Sequence, residues 1–166
     1  MTVENTGTWG KSHIGCKRKN NEDRYLIKIV SEISILAVAD GVGGNPGGEI
    51  AAQIVTDSFQ EHIFSKTDLK TDLKTVLLES EKRILQKIEE NQKLEGMSTT
   101  LTAVAVYHSK VFWIHIGDSR LYLLRNKKIK QMTKDHTFIQ DLIDDGTLSP
   151  EQADKHPLKN MLDQCL

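Results

Sequence analysis

The sequence predicts an α+β fold in which antiparallel strands support a pair of helices. Three observations lead there. Short apolar runs bounded by turn residues cluster at residues 24–39 and again at 99–124. Two longer segments lie between them, and their apolar residues recur at helical spacing. The run Thr99 to Tyr107 is so small and apolar, with Ala103, Val104, Ala105 and Val106, that it reads as a strand buried on both faces. At 166 residues with 38% apolar content, residues 1–166 form a single domain with a sizeable core.

The elements follow in order. Thr6 to Ile14 alternates loosely around Trp9 and is expected to be an opening strand. Gly15 to Asn21 is a polar, basic turn, and Glu22-Asp23 leads into a strand from Arg24 to Val30. Ser31-Glu32 then turns the chain into Ile33 to Ala39, which ends at Asp40. A hairpin with so short a turn sets Asp23, at the start of one strand, beside Asp40, at the end of the next. Asn45-Pro46-Gly47-Gly48 leads into a helix with Ile50, Ala51, Ile54, Val55, Phe59 and Ile63 near one stripe. A second helix, capped by Thr67 or Asp68, carries Leu69, Leu73, Val76, Leu77, Ile84 and Ile88; Glu79, Glu81, Lys82, Lys87, Glu89 and Glu90 cover its solvated face. Together they form an αα-hairpin lying on a sheet. Residues 99–124 read as a β-meander, turning at His108-Ser109-Lys110 and interrupted by Gly117-Asp118-Ser119-Arg120. His115, inside an apolar strand, is read as a packed core histidine. Lys127, Lys128, Lys130 and Lys134 mark a solvated hairpin edge. The tail holds a helix from Thr137 to Asp144, a turn opened by Ser149-Pro150-Glu151, and apolar Leu158, Met161 and Leu162 with nothing downstream to receive them.

The stretch with chemical content is Ala39-Asp40-Gly41-Val42-Gly43-Gly44. A carboxylate at a strand end is held by a rigid element. Glycines after it open backbone conformations and let a ligand reach the main chain. A carboxylate beside a bare backbone carbonyl suits a hard cation such as Mg²⁺ or Mn²⁺. The plain alternative is a glycine turn with a solvated Asp.

Composition excludes several classes. The net charge of −1 gives no field favouring nucleic acid or acidic membranes. Cys16 and Cys165 are the two cysteines, far apart and in no metal-ligand spacing, so neither a disulfide scaffold nor a zinc site is expected. No apolar run approaches the ~20 residues of a membrane span, and the polar first residues contain no signal core. A cytoplasmic protein is expected. Gly10-Lys11-Ser12 imitates the end of a phosphate-binding P-loop, but Asn5 stands where that motif needs its first glycine.

With these pieces placed, the sequence resembles the metal-dependent (type 2C, PPM) protein serine/threonine phosphatases over nearly the whole chain. Arg18 followed by Asn20-Asn21-Glu22-Asp23 resembles the family's first motif, and Ala39 to Gly44 its second. Gly96-Met97-Ser98-Thr99-Thr100 and Gly117-Asp118-Ser119-Arg120 resemble the third and fourth; Met132-Thr133-Lys134-Asp135-His136-Thr137 resembles a further segment. The resemblance implies a four-layer α-β-β-α sandwich of two antiparallel sheets flanked by helix pairs. It also implies two Mn²⁺ or Mg²⁺ ions that activate water for attack on phosphorus. Asp40 would bridge both ions, the Gly41 carbonyl would bind one, and Asp23 would reach the site directly or through metal-bound water. Glu22 would orient such a water, Arg18 would grip the substrate phosphate through its forked guanidinium, and Asp118 would serve a third, weaker ion. Without the family, Lys17-Arg18-Lys19 is an exposed basic turn, Glu22 and Asp23 are capping acids, and Asp118 is a turn residue.

Two departures from the family pattern stand out. Val42 occupies the place where some members carry a histidine proposed as a general acid, which resembles the branch common in bacteria. The family's downstream Asp-Gly and late Asp-Asn motifs do not occur after Asp145, where the acids are Glu151, Asp154 and Asp163. The chain therefore resembles the N-terminal portion of a phosphatase, with a fold incomplete at its C-terminus. From that follow the expectations of weak cation binding, weakened or absent catalysis, and self-association through uncovered apolar surface. Two functions compete: hydrolysis of phosphoserine or phosphothreonine in proteins, and a catalytically impaired module that binds a phosphoprotein or a serine/threonine kinase. A third, an ATP-binding glycine box read from Asp40-x-Gly-x-Gly, ranks well behind because Asn20 and Asn21 lie in a basic turn rather than on a helix and the meander has no place in that fold.

Overall fold

The computed structural model describes residues 7–44 and 46–166. Two antiparallel sheets with flanking helices make up the fold. The first sheet has the order β1-β2-β3-β4, with β1 at Asp23–Val30, β2 at Ile33–Asp40, β3 at Leu101–Tyr107 and β4 at Lys110–Ile116. The turn between β1 and β2 is the two-residue Ser31-Glu32, with φ of 48° and 72°. Positive φ at both turn positions gives the twist that matches flanking strands, so the pairing runs without a bulge from Val30–Ile33 to Asp23–Asp40.

Helix α1 (Gly48–Glu61) and helix α2 (Leu69–Glu90) form the expected αα-hairpin. They cover the face of β2 that presents Ile33, Ile35, Ala37 and Ala39. Ala51, Ala52, Val55 and Phe59 of α1 are fully buried against it, with Leu73, Val76 and Ile84 of α2 behind them. Asp68 is the residue that caps α2, its carboxylate accepting the Thr71 N–H at 3.1 Å. Lys28 of β1 closes the other helix: its Nζ donates to the carbonyls of Gln60 at 2.6 Å and His62 at 2.7 Å, at the end of α1. Strand alternation puts Asp23, Tyr25, Val38, Asp40, Thr100, Thr102 and His115 on the opposite, helix-free face.

Two sequence expectations change. The opening strand begins at Thr6, outside the described residues, and its remainder at residues 7–14 forms no strand. Gly10 crosses the face of the sheet instead of lining its edge: a Cβ there would stand 2.5 Å from Cε2 of Tyr25. Trp9 is correspondingly 79% exposed. The meander is also broken. β3 and β4 pair as expected, but at Gly117 the chain leaves the first sheet, and β5 (Tyr122–Arg125) pairs with β6 (Lys128–Gln131) in a separate two-stranded sheet. Gly117 has φ of +101°, and a Cβ on it would meet Thr100 at 2.6 Å, so the departure needs glycine.

Helix α3 (Phe138–Asp144) is capped by Thr137, and the short α4 (Pro150–Ala153) by a Ser149–Gln152 capping box. The tail is received more fully than its composition suggests. Leu162 bridges Thr137. Leu166 exchanges both backbone hydrogen bonds with Thr99, each 2.9 Å. Leu158 and Met161 stay exposed.

Candidate metal-binding site

Asp23 and Asp40 face each other in register across β1 and β2. Counting from the two-residue turn, their pair falls at a non-hydrogen-bonded position, where opposed side chains come closest. The backbone agrees. The N–H of Asp40 points the other way and donates to Oγ1 of Thr100 at 3.2 Å, while the N–H of Gly41 donates to the Glu22 carbonyl at 3.2 Å. Two carboxylates on rigid strand ends therefore converge on one face of the sheet.

Their electrostatics follow. Burial first, then the charge of Asp23 and a hydrogen bond shared with it, then the charge of Asp118, push the Asp40 carboxyl up to about 6 from its ordinary 3.8; Arg18 opposes this weakly. A carboxylate pair that resists full ionisation without a counter-charge is a fit for a hard divalent cation. Asp118 takes part by charge. Among the described residues no three His, Cys, Asp or Glu side chains form a group that could hold a metal ion.

The glycines after Asp40 have distinct tasks. Gly41 forms a bridge with Thr99, made by the flanking Val42 N–H to Ser98 O at 3.0 Å and Thr100 N–H to Asp40 O at 2.9 Å. The carbonyl of Gly41 takes no part in those two bonds. A Cβ on Gly41 would lie 2.4 Å from the backbone of Gly48, so strand end and helix start touch main chain to main chain. At Gly43 a Cβ would meet Nη1 of Arg18 at 2.4 Å: the guanidinium lies on the glycine loop. Only Gly44 of these three has positive φ. Arg18 also pairs with Glu22 at 3.2 Å, and its side chain remains 65% exposed. Glu22 thus steadies Arg18.

Other motif residues brace this centre. Thr100 Oγ1 shares a hydrogen bond with Ser119 Oγ at 2.8 Å, and Thr102 Oγ1 donates to the Ser119 carbonyl at 2.6 Å. Arg120 clasps both oxygens of Asp135, the shortest contact being 2.6 Å, which holds its pKa above the ordinary arginine range. His136 accepts the Gly117 N–H on Nδ1 at 3.2 Å. His115 is half-buried between Thr102 and the Lys134 carbonyl, and burial pulls its pKa down, as befits a packed histidine. Sequence reasoning missed the positioning roles of Asn21 and Ser12. Asn21 Oδ1 accepts the Asp23 N–H at 3.1 Å, and its Nδ2 donates to Ser12 Oγ at 2.7 Å. Asn21's place two residues before Asp23 was the available signal, being the spacing of an Asx turn. A cavity of about 220 Å³ opens beside the pair, walled by Lys11, Ser12, Tyr25, Val38 and Ser119 with both carboxylates.

Comparison with known proteins gives this arrangement its context. A family profile described as protein phosphatase 2C matches residues 9–144. The serine/threonine protein phosphatase PstP of Mycobacterium tuberculosis is 38% identical over 159 residues, a match covering 94% of this chain and 30% of that protein. The crystal structure of the M. tuberculosis phosphatase PstP superimposes with a TM-score of 0.83 at 37% identity, covering 92% of this chain and 64% of the other. A catalytic domain of PstP in complex with two manganese ions superimposes at 0.75 with 35% identity, covering 92% of this chain and 66% of that one. The chain thus spans less than two thirds of these relatives' lengths.

Proposed function

We propose, because the chain belongs to the protein phosphatase 2C family, that its strand-end carboxylates serve metal-dependent hydrolysis of phosphoserine and phosphothreonine in proteins. The observation that carries this reading is the registered Asp23–Asp40 pair with its proton-retaining Asp40. Two divalent ions, Mn²⁺ or Mg²⁺, would supply charge stabilisation and an activated water. Asp40 and Asp23 would hold them, with the Gly41 carbonyl as a neutral oxygen ligand, and Asp118 would serve a third ion. Arg18, laid on Gly43, would grip a phosphate with its fork. Glu22 pairs with Arg18 and would orient a metal-bound water.

The manganese-bound relative supports the choice of cation, and the phosphatases among the relatives support phosphoproteins as substrates; a serine/threonine kinase would be the opposing partner. We place the activity in the cytoplasm, where two free cysteines are at home. Among the described residues no helix is long and apolar enough to cross a membrane. One observation favours a second reading. The described residues gather no third metal-ligating side chain at the pair, so the chain on its own would hold cations weakly and act by binding phosphoproteins on its Arg18 side.

The deciding experiment is Mn²⁺-dependent release of phosphate from a phosphothreonine peptide, with Asp40→Asn beside the wild type. The catalytic reading expects turnover that drops by more than about 100-fold in the variant, since even residues behind metal ligands cost 10–100-fold. No turnover in a folded wild-type chain selects the binding reading, and equal turnover in both removes Asp40 from the mechanism.

A further inference from the structure

The cavity beside Asp23 and Asp40 has one wall that the proposed chemistry does not use. Lys11 lies on it, between two anchored neighbours. Gly10 is seated against the ring of Tyr25, too closely for any side chain. Ser12 is tied by its hydroxyl to Asn21, whose other end holds the Asp23 N–H. The backbone on both sides of Lys11 is therefore fixed to the strand that carries Asp23.

Asp23 and Asp40 on the same cavity wall are reserved for cations in the proposed chemistry, and the neighbouring arginines are committed. Arg24, also on the cavity wall, spends its guanidinium on Gln53 Oε1 at 2.8 Å and on the carbonyls of Asn21 and Asp23 at 2.9 Å each. Arg18 lies over Gly43 and pairs with Glu22. Lys11 is exposed and forms no hydrogen bond or ion pair among the described residues. Beside it Tyr25 and Val38 leave 45% and 44% of their surface open, so an accessible apolar strip lies within an otherwise polar cavity lining. An uncommitted cation over a partly apolar pocket attracts an anionic group carried on a short apolar stem.

We propose that Lys11 and this cavity form a subsite for an acidic residue next to the phosphorylated one, so that the chain prefers phosphopeptides with Asp or Glu on that flank. The inference rests on the phosphatase reading for its substrate. The stem of the flanking residue would lie over Tyr25 and Val38 while its carboxylate meets the Lys11 ammonium.

The test compares two phosphothreonine peptides that differ only in carrying glutamate or lysine at the flanking positions. In the wild type kcat/KM should favour the acidic peptide by about fivefold or more, a modest figure in keeping with one exposed charge pair. Lys11→Ala should level the two peptides, Lys11→Arg should keep the preference, and Lys11→Glu should invert it. The readout is a ratio within one protein, so a general loss of activity cancels. Equal use of both peptides by the wild type, or a ratio unmoved by Lys11→Glu, overturns the proposal. Manganese-dependent hydrolysis of a small aryl phosphate reports separately on the phosphatase reading. If that fails, the same peptides are compared by fluorescence anisotropy: a preference inverted by Lys11→Glu upholds the subsite, and equal affinity overturns it.

Discussion

Asp40 shows how a single residue ties the fold to its chemistry. Its folded-state pKa of about 6 lies above the ordinary 3.8, so the metal-free fold holds this proton more tightly than the unfolded chain does. The associated stability is fully present below about 3.8 and lost as pH rises through about 6. A divalent cation reverses the balance by displacing the proton. Apparent Mn²⁺ affinity, followed by titration calorimetry, should therefore fall by up to about tenfold per pH unit below pH 6. Affinity that is flat between pH 7 and pH 5 would remove Asp40 from the metal site. The glycines make a different point. Their presence after Asp40 was plain in the sequence, and ligand approach was the natural reason for them. Gly41 is also required by the backbone of Gly48, and Gly43 gives room to the guanidinium of Arg18, contacts that depend on where the chain returns.

At the level of elements, the hairpin was readable because its geometry is local: a two-residue turn leaves one way for Asp23 to face Asp40. The helix pair was equally open, since its apolar stripe repeats over fourteen and twenty-two residues. What was hidden depends on distant segments meeting. Thr100 finds Ser119 and Arg120 finds Asp135 only after the chain leaves the first sheet at Gly117. The segment at residues 7–14 has a strand-like pattern but lies across Tyr25, and a strand exists only beside an edge. Lys28 belongs here too, as a strand residue that finishes a helix. Lys28→Met would leave the last carbonyls of α1 without their ammonium donor. We expect a loss of about 1 kcal/mol, seen as a lower midpoint in urea with the transition still cooperative.

For the whole molecule, the helix-free face of the first sheet is the dominant feature. Tyr25, Ile29, Val38, Val111 and Trp113 each leave between 42% and 53% of their surface open there. A contiguous apolar face of this kind drives association. We predict that sedimentation velocity of the chain shows concentration-dependent self-association, and that Val38→Glu with Trp113→Glu reduces it. A monodisperse monomer at every concentration would count against this.

The turn at Ser31-Glu32 acts at a distance. It lies seven residues from the Asp23–Asp40 pair, roughly 23 Å along an extended strand. Strand side chains alternate, so one residue inserted or deleted at the turn would shift the pairing by one step and send one carboxylate through the sheet to the helix side. The turn is thus the gauge that sets the spacing of the site. Its length matters for a reason that nothing near the carboxylates reveals, and substitutions there must keep residues that accept positive φ at both positions.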